Sequence, residues 1–170
     1  MKILGLLALL LTWLLGWGED IESLRASFTQ TTHQQSEKII YTGTLIAKNP
    51  NLAKWSYTAP MQKEIYLNAK EVIIYEPLLE QATYSQIAQK ADFFSIITSA
   101  KLGSDGNYHA TIGDTNYTLI LKDNKPYQIL YKDELDNTIE ITLAQVELNP
   151  KLDSSLFTFT PTQGIDLIRQ

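Results

Sequence analysis

The sequence has no cysteine and only two histidines among its 170 residues. Without thiols an exported chain forms no disulfides and depends on its hydrophobic core for stability. Thiol chemistry and thiolate metal ligands are excluded as well. His33 and His109 lie in separate polar contexts without paired spacing, so we expect no metal site and no cofactor.

Signatures of hydrolases and nucleotide-binding proteins are also missing from the sequence. Serine-nucleophile turns of the Gly-x-Ser-x-Gly type and glycine-rich phosphate loops do not occur, which disfavours an enzyme. Basic residues are a minority, since 14 Lys and Arg stand against 19 Asp and Glu for a net charge of −5. That sign disfavours a nucleic acid partner.

The first residues have the features of a cleavable export signal. Lys2 precedes an apolar run from Ile3 to Leu15, and the small-x-small triplet Gly16-Trp17-Gly18 follows. A retained membrane helix is the alternative, which the shortness of the run disfavours. We therefore expect a signal peptide at residues 1–18 and one domain at 19–170. Because no cysteine is available for lipidation, we expect the mature chain to be unanchored.

Short runs rich in Ile, Leu, Thr and Tyr lie between turns marked by proline or by Gly, Asn and Asp, which is typical of β-strands. The connections are too short for repeated helical crossovers, so the sequence favours an antiparallel meander. The predicted strands are Lys38–Lys48, Ala53–Thr58, Gln62–Asn68, Glu71–Tyr75, Glu80–Ser85, Tyr108–Ile112, Tyr117–Leu121, Tyr127–Lys132 and Thr138–Leu148.

Two segments have helical spacing instead. Asp20–Ser27 predicts a helix of about two turns. Ala91–Lys101 predicts a second, with Asp92 as N-cap and Gly103 beyond its end. A helical turn at Leu152–Leu156 and a strand at Phe157–Thr160 are predicted near the C-terminus.

The last long strand changes its alternation. Apolar residues up to Leu143 share one parity and those from Val146 share the other, so we expect one extra residue near Ala144-Gln145. A bulge of this kind increases curvature.

The segment from Gly43 to Thr83 is unusually rich in large apolar side chains. Trp55 and Tyr57 share one strand face, and the run from Val72 to Tyr75 is apolar on both faces. A sheet with one face in solvent needs apolar side chains on its other face only. Two interpretations remain open from the residues alone: a two-layer core with helices on one side, or a cavity for acyl chains under the Phe93-Phe94 helix.

A series of short motifs resembles the LolA family of outer-membrane lipoprotein carriers. In order they are Ala26-Ser27-Phe28-Thr29-Gln30, the block from Gly43-Thr44-Leu45 through Asn49-Pro50 to Trp55, Pro60, Tyr75-Glu76-Pro77, Glu80-Gln81-Ala82-Thr83, and Phe157-Thr158-Phe159-Thr160-Pro161 to Gly164. Each is short, but their order across nearly the whole mature chain is specific.

The resemblance implies a mainly β fold with some α: an open curved antiparallel β half-barrel, covered by two or three short helices, that encloses a hydrophobic cavity. It also implies a monomeric periplasmic chaperone without enzyme activity or cofactor. Such a carrier receives acylated lipoproteins from an inner-membrane ABC transporter and delivers them to an outer-membrane acceptor or the outer membrane itself. Lipoproteins with a retention signal, Asp after the lipidated cysteine, are not carried.

Residues of the expected lipid-binding cavity follow from the resemblance together with strand facing. They are Phe28, Leu45, Trp55, Tyr57, Leu67, Ile74, Tyr75, Phe93, Phe94 and Ile97. The family's lid-holding arginine corresponds to Asn49, and the neighbouring Lys48 lacks the guanidinium fork that would replace it. The first predicted helix is also shorter than is usual in the family.

Other functions compatible with the residues are a lipid-binding or envelope-sensing module of the same fold and a membrane-anchored acceptor. The acceptor would need a lipidated N-terminal cysteine, which this sequence lacks. An exported enzyme is disfavoured by the missing catalytic motifs.

Overall fold

The computed structural model describes residues 17–18, 20–86 and 93–170, and most of them form one twelve-stranded sheet. The predicted signal peptide therefore lies outside the described residues except for Trp17 and Gly18. The strands are β1 (Ser23–Gln34), β2 (Glu37–Lys48), β3 (Leu52–Ala59), β4 (Lys63–Leu67), β5 (Glu71–Glu76), β6 (Gln81–Gln86), β7 (Lys101–Leu102), β8 (Tyr108–Ile112), β9 (Thr115–Lys122), β10 (Lys125–Lys132), β11 (Thr138–Leu148) and β12 (Asp166–Arg169).

The strand order is β12-β6-β5-β4-β3-β2-β1-β11-β10-β9-β8-β7. Neighbours pair in antiparallel fashion except β12, which lies parallel to β6. β7 and β12 are the two edges, so the sheet is open. The predicted antiparallel architecture is confirmed, and all nine predicted strands overlap observed ones.

The predicted helix at Asp20–Ser27 is wrong, because β1 begins at Ser23. Leu24, Ala26 and Phe28 are all buried, and this alternation is that of a strand. Because Ala26 is small, the alternation of apolar residues was not evident in the sequence. β1 also lies between β2 and β11 and is paired on both edges, which no local propensity specifies.

The predicted bulge near Ala144-Gln145 is confirmed. Arg25 pairs with Glu147 and Ser27 with Ala144, so three steps along β11 match two along β1. Gln145 adopts a positive φ of 53° at this point.

One α-helix, α1 (Phe93–Ser99), occurs in the described residues, within the predicted helix at Ala91–Lys101; the predicted N-cap, Asp92, lies outside them. Pro77–Leu79 and Ser154–Phe157 are single 3-10 turns. Within the described part of the chain the helix count is thus lower than the two or three helices expected. None of the described helices is long and apolar enough to cross a bilayer.

The predicted strand at Phe157–Thr160 is also wrong. Phe157 ends the second 3-10 turn, and the terminal strand is β12 further along the chain. Between them Phe159 packs against Tyr66, Tyr75 and Tyr84. The C-terminal segment thus covers one face of strands β4–β6, which explains why β5 is apolar on both faces.

The main core lies on the opposite face of the sheet, under α1. It joins the α1 residues Phe93, Phe94 and Ile97 to buried residues of the central strands, including Leu24, Leu45 and Leu119.

Candidate functional site: an apolar pocket on the inner face of the sheet

A pocket of about 300 Å³ lies between the sheet and α1. We call it the inner pocket. Its lining is mostly aliphatic and aromatic: Gln30, Trp55, Tyr57, Ile65, Leu67, Val72, Ile74, Phe93, Ile96, Tyr117, Ile129, Tyr131 and Ile141.

Strong curvature of the sheet brings these residues together. β5 and β9 are seven strand positions apart, which on a flat sheet is roughly 33 Å at about 4.7 Å per strand. Ile74 of β5 and Tyr117 of β9 nevertheless line the same pocket. The sheet therefore curls around the pocket, and the face that carries it is concave.

Alternation along each strand determines which side chains face the pocket. Trp55 pairs with Ile65 and Ile65 with Ile74, so a continuous apolar row crosses β3, β4 and β5. On the other side, Ile129 pairs with Ile141 of β11. These rows form the two walls of the pocket.

Phe28 lies in the core beneath the pocket and supports its wall. Its ring makes edge-on contacts with Trp55 and Tyr57, with ring centroids 5.1 and 5.0 Å apart. Gly43 leaves room for that ring: a Cβ there would lie 2.8 Å from Phe28 ring carbons and would also overlap the carbonyl oxygen of Ser56.

Tyrosine hydroxyls and one amide interrupt the apolar lining. The Tyr57 hydroxyl donates a hydrogen bond to Oε1 of Gln30 over 2.8 Å, and the rings of Tyr117 and Tyr131 lie 5.1 Å apart. Burial raises the pKa of the Tyr131 phenol to about 12, with nearby Tyr117 and Asp133 adding to the effect. Burial likewise raises the pKa of Tyr57, assisted by Tyr131 and Tyr41. These phenols stay neutral, so they act as hydrogen-bond donors at physiological pH.

Half of the residues predicted for the cavity lie in the inner pocket: Trp55, Tyr57, Leu67, Ile74 and Phe93. Four more are predicted residues that belong to the core around it, since Phe28, Leu45, Phe94 and Ile97 are each no more than 3% exposed. They support the pocket wall rather than line it.

Tyr75 lies elsewhere. Its neighbour Ile74 faces the inner pocket, so Tyr75 faces the other side of β5 and contacts Phe159, with ring centroids 5.1 Å apart.

Eight lining residues are outside the predicted set: Gln30, Ile65, Val72, Ile96, Tyr117, Ile129, Tyr131 and Ile141. The last four come from strands for which the sequence predicted no part in the site. Tyr117, Ile129, Tyr131 and Ile141 follow the two-residue period of β9, β10 and β11, and that period was visible. The period does not show that these strands lie opposite β3–β5, because only the curvature of the sheet makes them neighbours.

Asn49, predicted to replace the lid-holding arginine, lies away from the inner pocket, in a polar pocket of about 580 Å³ lined by the ends of β1, β2 and β11. The neighbouring Lys48 contacts the C-terminal segment there. Its ammonium donates to the carbonyl oxygen of Leu152 over 2.9 Å and lies 3.3 Å from the Ser154 hydroxyl. Lys48 thus ties β2 to the C-terminal segment.

Asn149 holds the start of β1 in the same region. Its side-chain oxygen accepts from the backbone of Glu22 over 2.7 Å, and its amide nitrogen donates to the carbonyl of Asp20 over 3.1 Å. These bonds replace the helical ones expected at Asp20–Ser27.

An open curved sheet with an apolar pocket under a short helix defines the class of protein: a β-sheet protein built around an apolar inner face. The sequence model of the family described as outer membrane lipoprotein carrier protein LolA matches residues 19–130. The chain belongs to this family.

Relatives support the assignment. An outer-membrane lipoprotein carrier protein of Helicobacter pylori is 42% identical over 89% of this chain and 83% of its own length. One from Helicobacter hepaticus is 40% identical over 91% and 88%. One from Campylobacter jejuni is 31% identical over 88% of both.

Solved structures share the fold at low identity. A LolA superfamily protein from Nitrosomonas europaea aligns with a TM-score of 0.53 at 11% identity, covering 82% of this chain and 91% of that one. An uncharacterized conserved protein from Thermus thermophilus aligns with a TM-score of 0.54 at 12% identity, covering 88% and 91%.

Proposed function

We propose that this chain is a periplasmic chaperone that binds the acyl chains of lipoproteins in the inner pocket. In this proposal an inner-membrane ABC transporter releases the lipoproteins, and the chain carries them to an outer-membrane acceptor or the outer membrane. Lipoproteins with Asp after the lipidated cysteine stay behind. The observation that carries the proposal is the apolar inner pocket in a member of a lipoprotein-carrier family.

The energetics of acyl chains make such a pocket necessary. Each buried methylene is worth about 0.8 kcal/mol, so three acyl chains in water represent tens of kcal/mol of unfavourable exposure. A carrier lowers that cost by surrounding the chains with apolar walls. Aliphatic and aromatic walls bind without directional bonds, which keeps release to a tighter-binding acceptor possible.

The size of the inner pocket implies that α1 moves when ligand binds. A volume of about 300 Å³ is at the lower limit of pockets for small ligands, which span roughly 300–1,000 Å³. Several acyl chains need more room than this. α1 is only seven residues long and lines the pocket with Phe93 and Ile96, so its displacement widens the pocket without breaking the sheet.

We assign the control of the C-terminal segment to Lys48 rather than to Asn49. The Lys48 ammonium contacts the backbone of Leu152 directly. In this proposal it partly takes the place of the family's arginine, with one ammonium instead of a fork of donors.

The test uses inner-membrane vesicles that contain the transporter and a labelled lipoprotein. After ATP is added with the purified chain, we expect the label in the supernatant as a one-to-one complex. Supernatant label no higher than in a carrier-free reaction would refute the proposal.

A variant with a charge in the inner pocket tests whether the acyl chains bind there. Ile74 is half-buried and lines the pocket, so Ile74→Glu leaves an unpaired carboxylate among the acyl chains and should abolish capture. Ile40→Glu is the matched control, because Ile40 is 50% exposed and outside the pocket lining. Phe94 is unsuitable for this purpose because it is buried in the core, where a carboxylate would unfold the chain.

A further inference from the structure

Four polar side chains occupy one end of the inner pocket. Gln30, Tyr57, Tyr117 and Tyr131 each lie two residues from an apolar residue of the same strand face, namely Phe28, Trp55, Leu119 and Ile129. In every case the polar residue is the one nearer the same end of the sheet.

Strand directions show that the end is shared. β1, β3 and β10 run in the same direction, because β2 is antiparallel to both β1 and β3, and β11 is antiparallel to both β1 and β10. β9 runs in the opposite direction, so Tyr117, which precedes Leu119, also lies toward this end. We call these four residues the polar belt.

The opposite end of the pocket is apolar. Leu67 and Val72, which pair with each other on the side of Trp55 away from Tyr57, line the pocket there. Gly18, just before β1, lies close against Ile97 of α1 at the same end. The inner pocket therefore has a polar end and an apolar end, with α1 over the latter.

Within the part of the chain that the structure describes, the Tyr131 hydroxyl of the belt has no protein partner, whereas Tyr57 and Gln30 do. Tyr57 is committed to Gln30, and the amide nitrogen of Gln30 lies 3.3 Å from the hydroxyl of Thr32. Among the described residues, the Tyr131 hydroxyl has no hydrogen-bond partner, although the residue lines the pocket. Because Tyr131 is half-buried and lines the pocket, its hydroxyl is free to donate to a bound ligand.

We propose that the polar belt binds the neutral carbonyl groups where acyl chains join their glycerol or amine, with the Tyr131 hydroxyl as hydrogen-bond donor. This inference rests on the proposed carrier function and gives the ligand an orientation. The carbonyl end lies at the belt, and the hydrocarbon tails extend toward α1.

The charges around the belt favour a neutral head over an anionic one. The Lys63 ammonium lies 4.7 Å from the centre of the Tyr57 ring, and the Asp133 carboxylate acts on Tyr131 from the other wall. One positive and one negative charge supply no net attraction for a phosphate or carboxylate. Ester and amide carbonyls need only a donor, which Tyr131 provides.

The test compares two synthetic lipopeptides that differ only in the linkage of their chains. One carries two palmitoyl esters, and the other carries two hexadecyl ethers, which keep the hydrocarbon but lack the carbonyl oxygens. We expect the unmodified chain to bind the ester form several-fold more tightly, as one net hydrogen bond predicts. Tyr131→Phe should bind both forms equally.

Tyr127→Phe is the control, since Tyr127 lies on the same strand but is exposed and outside the pocket lining. It should keep the ester preference. Infrared spectra of a ¹³C-labelled ester give a second readout: the bound carbonyl band should lie at lower frequency with the unmodified chain than with Tyr131→Phe.

The outcomes separate this inference from the carrier function. Equal binding of the two probes by the unmodified chain, or an ester preference that survives in Tyr131→Phe, would overturn the role of the belt and leave the carrier function standing. Failure to bind either probe would overturn both.

Discussion

At the scale of single residues, packing explains why the motif Gly43-Thr44-Leu45 begins with glycine. No larger residue fits there, because a Cβ would overlap the Ser56 carbonyl and approach the Phe28 ring. Phe28 in turn supports Trp55 and Tyr57. The glycine of Gly43-Thr44-Leu45 therefore leaves room for the aromatic ring that supports two residues of the pocket lining.

Replacing Gly43 with alanine should destabilise the fold. We expect Gly43→Ala to lower the free energy of unfolding, measured by urea denaturation, by about 1–3 kcal/mol, the range for overpacking of a core site. Thr44→Ala, at the exposed neighbouring position, should change it by less than about 0.5 kcal/mol. Similar stabilities for the two variants would contradict the packing role of Gly43.

The buried phenol of Tyr131 predicts how stability depends on pH. Its pKa is raised from 10.0 to about 12, so between these values the folded chain holds a proton that the unfolded chain has lost. The contribution of this group to the free energy of unfolding is then fully present below pH 10. It is lost as pH rises, with a slope approaching about 1.4 kcal/mol per pH unit.

Urea denaturation between pH 8 and 11.5 tests this expectation. Tyr131→Phe should show a shallower loss of stability above pH 10 than the unmodified chain, whereas the exposed Tyr127→Phe should not. Parallel curves for all three chains would show that Tyr131 ionises as easily in the folded state as in the unfolded one.

Among the elements, the contact of β2 with the C-terminal segment depends on Lys48. Its ammonium bonds to Leu152 and Ser154, beside the 3-10 turn Ser154–Phe157. Removal of a charged hydrogen bond costs on the order of 1.5 kcal/mol, which is about tenfold in an opening equilibrium.

We expect Lys48→Met to speed amide hydrogen exchange in that turn by about tenfold. The amides of Leu156 and Thr158, which bond within the turn, report on it. Lys48→Arg should keep slow exchange, and Lys151→Met at an exposed neighbouring position should have no effect. Unchanged exchange in Lys48→Met would remove Lys48 from control of this segment.

The elements also differ in how far local sequence specifies them. The nine predicted strands combine alternation with Ile, Thr and Tyr, so propensity and burial agree. β1 was misassigned at its start because Ile21, Leu24 and Phe28 fit a helical period as well. β12 was not predicted, because all four of its residues are exposed and show no apolar alternation. Its strand conformation depends on pairing with the edge of β6.

For the whole molecule, ligand binding should raise thermal stability. A ligand at 100 times its dissociation constant stabilises by about 2.7 kcal/mol, which for a chain of this size is about 5–10 °C in Tm. We expect this shift with a triacylated lipopeptide, measured by differential scanning calorimetry.

The shift should disappear in Ile74→Glu and persist in Ile40→Glu, because only Ile74 lines the inner pocket. An equal shift in both variants would place the ligand elsewhere on the molecule.

Much of this protein follows from local patterns. The strand periods, the irregularity at Ala144-Gln145 and the ordered family motifs were enough to predict the antiparallel architecture and five of the thirteen residues that line the inner pocket. These features depend on neighbours in sequence, where alternation and turn chemistry act.

The closing of the pocket is a tertiary property. Whether the apolar faces of β3–β5 and β9–β11 are two separate surfaces or two walls of one pocket depends on the accumulated twist and bend of the strands between them. The same curvature brings Tyr131 to the end of the pocket where Tyr57 lies, and it leaves Tyr75 on the outer face under Phe159. Curvature sums small contributions from many residues, so no short segment of the sequence reports it.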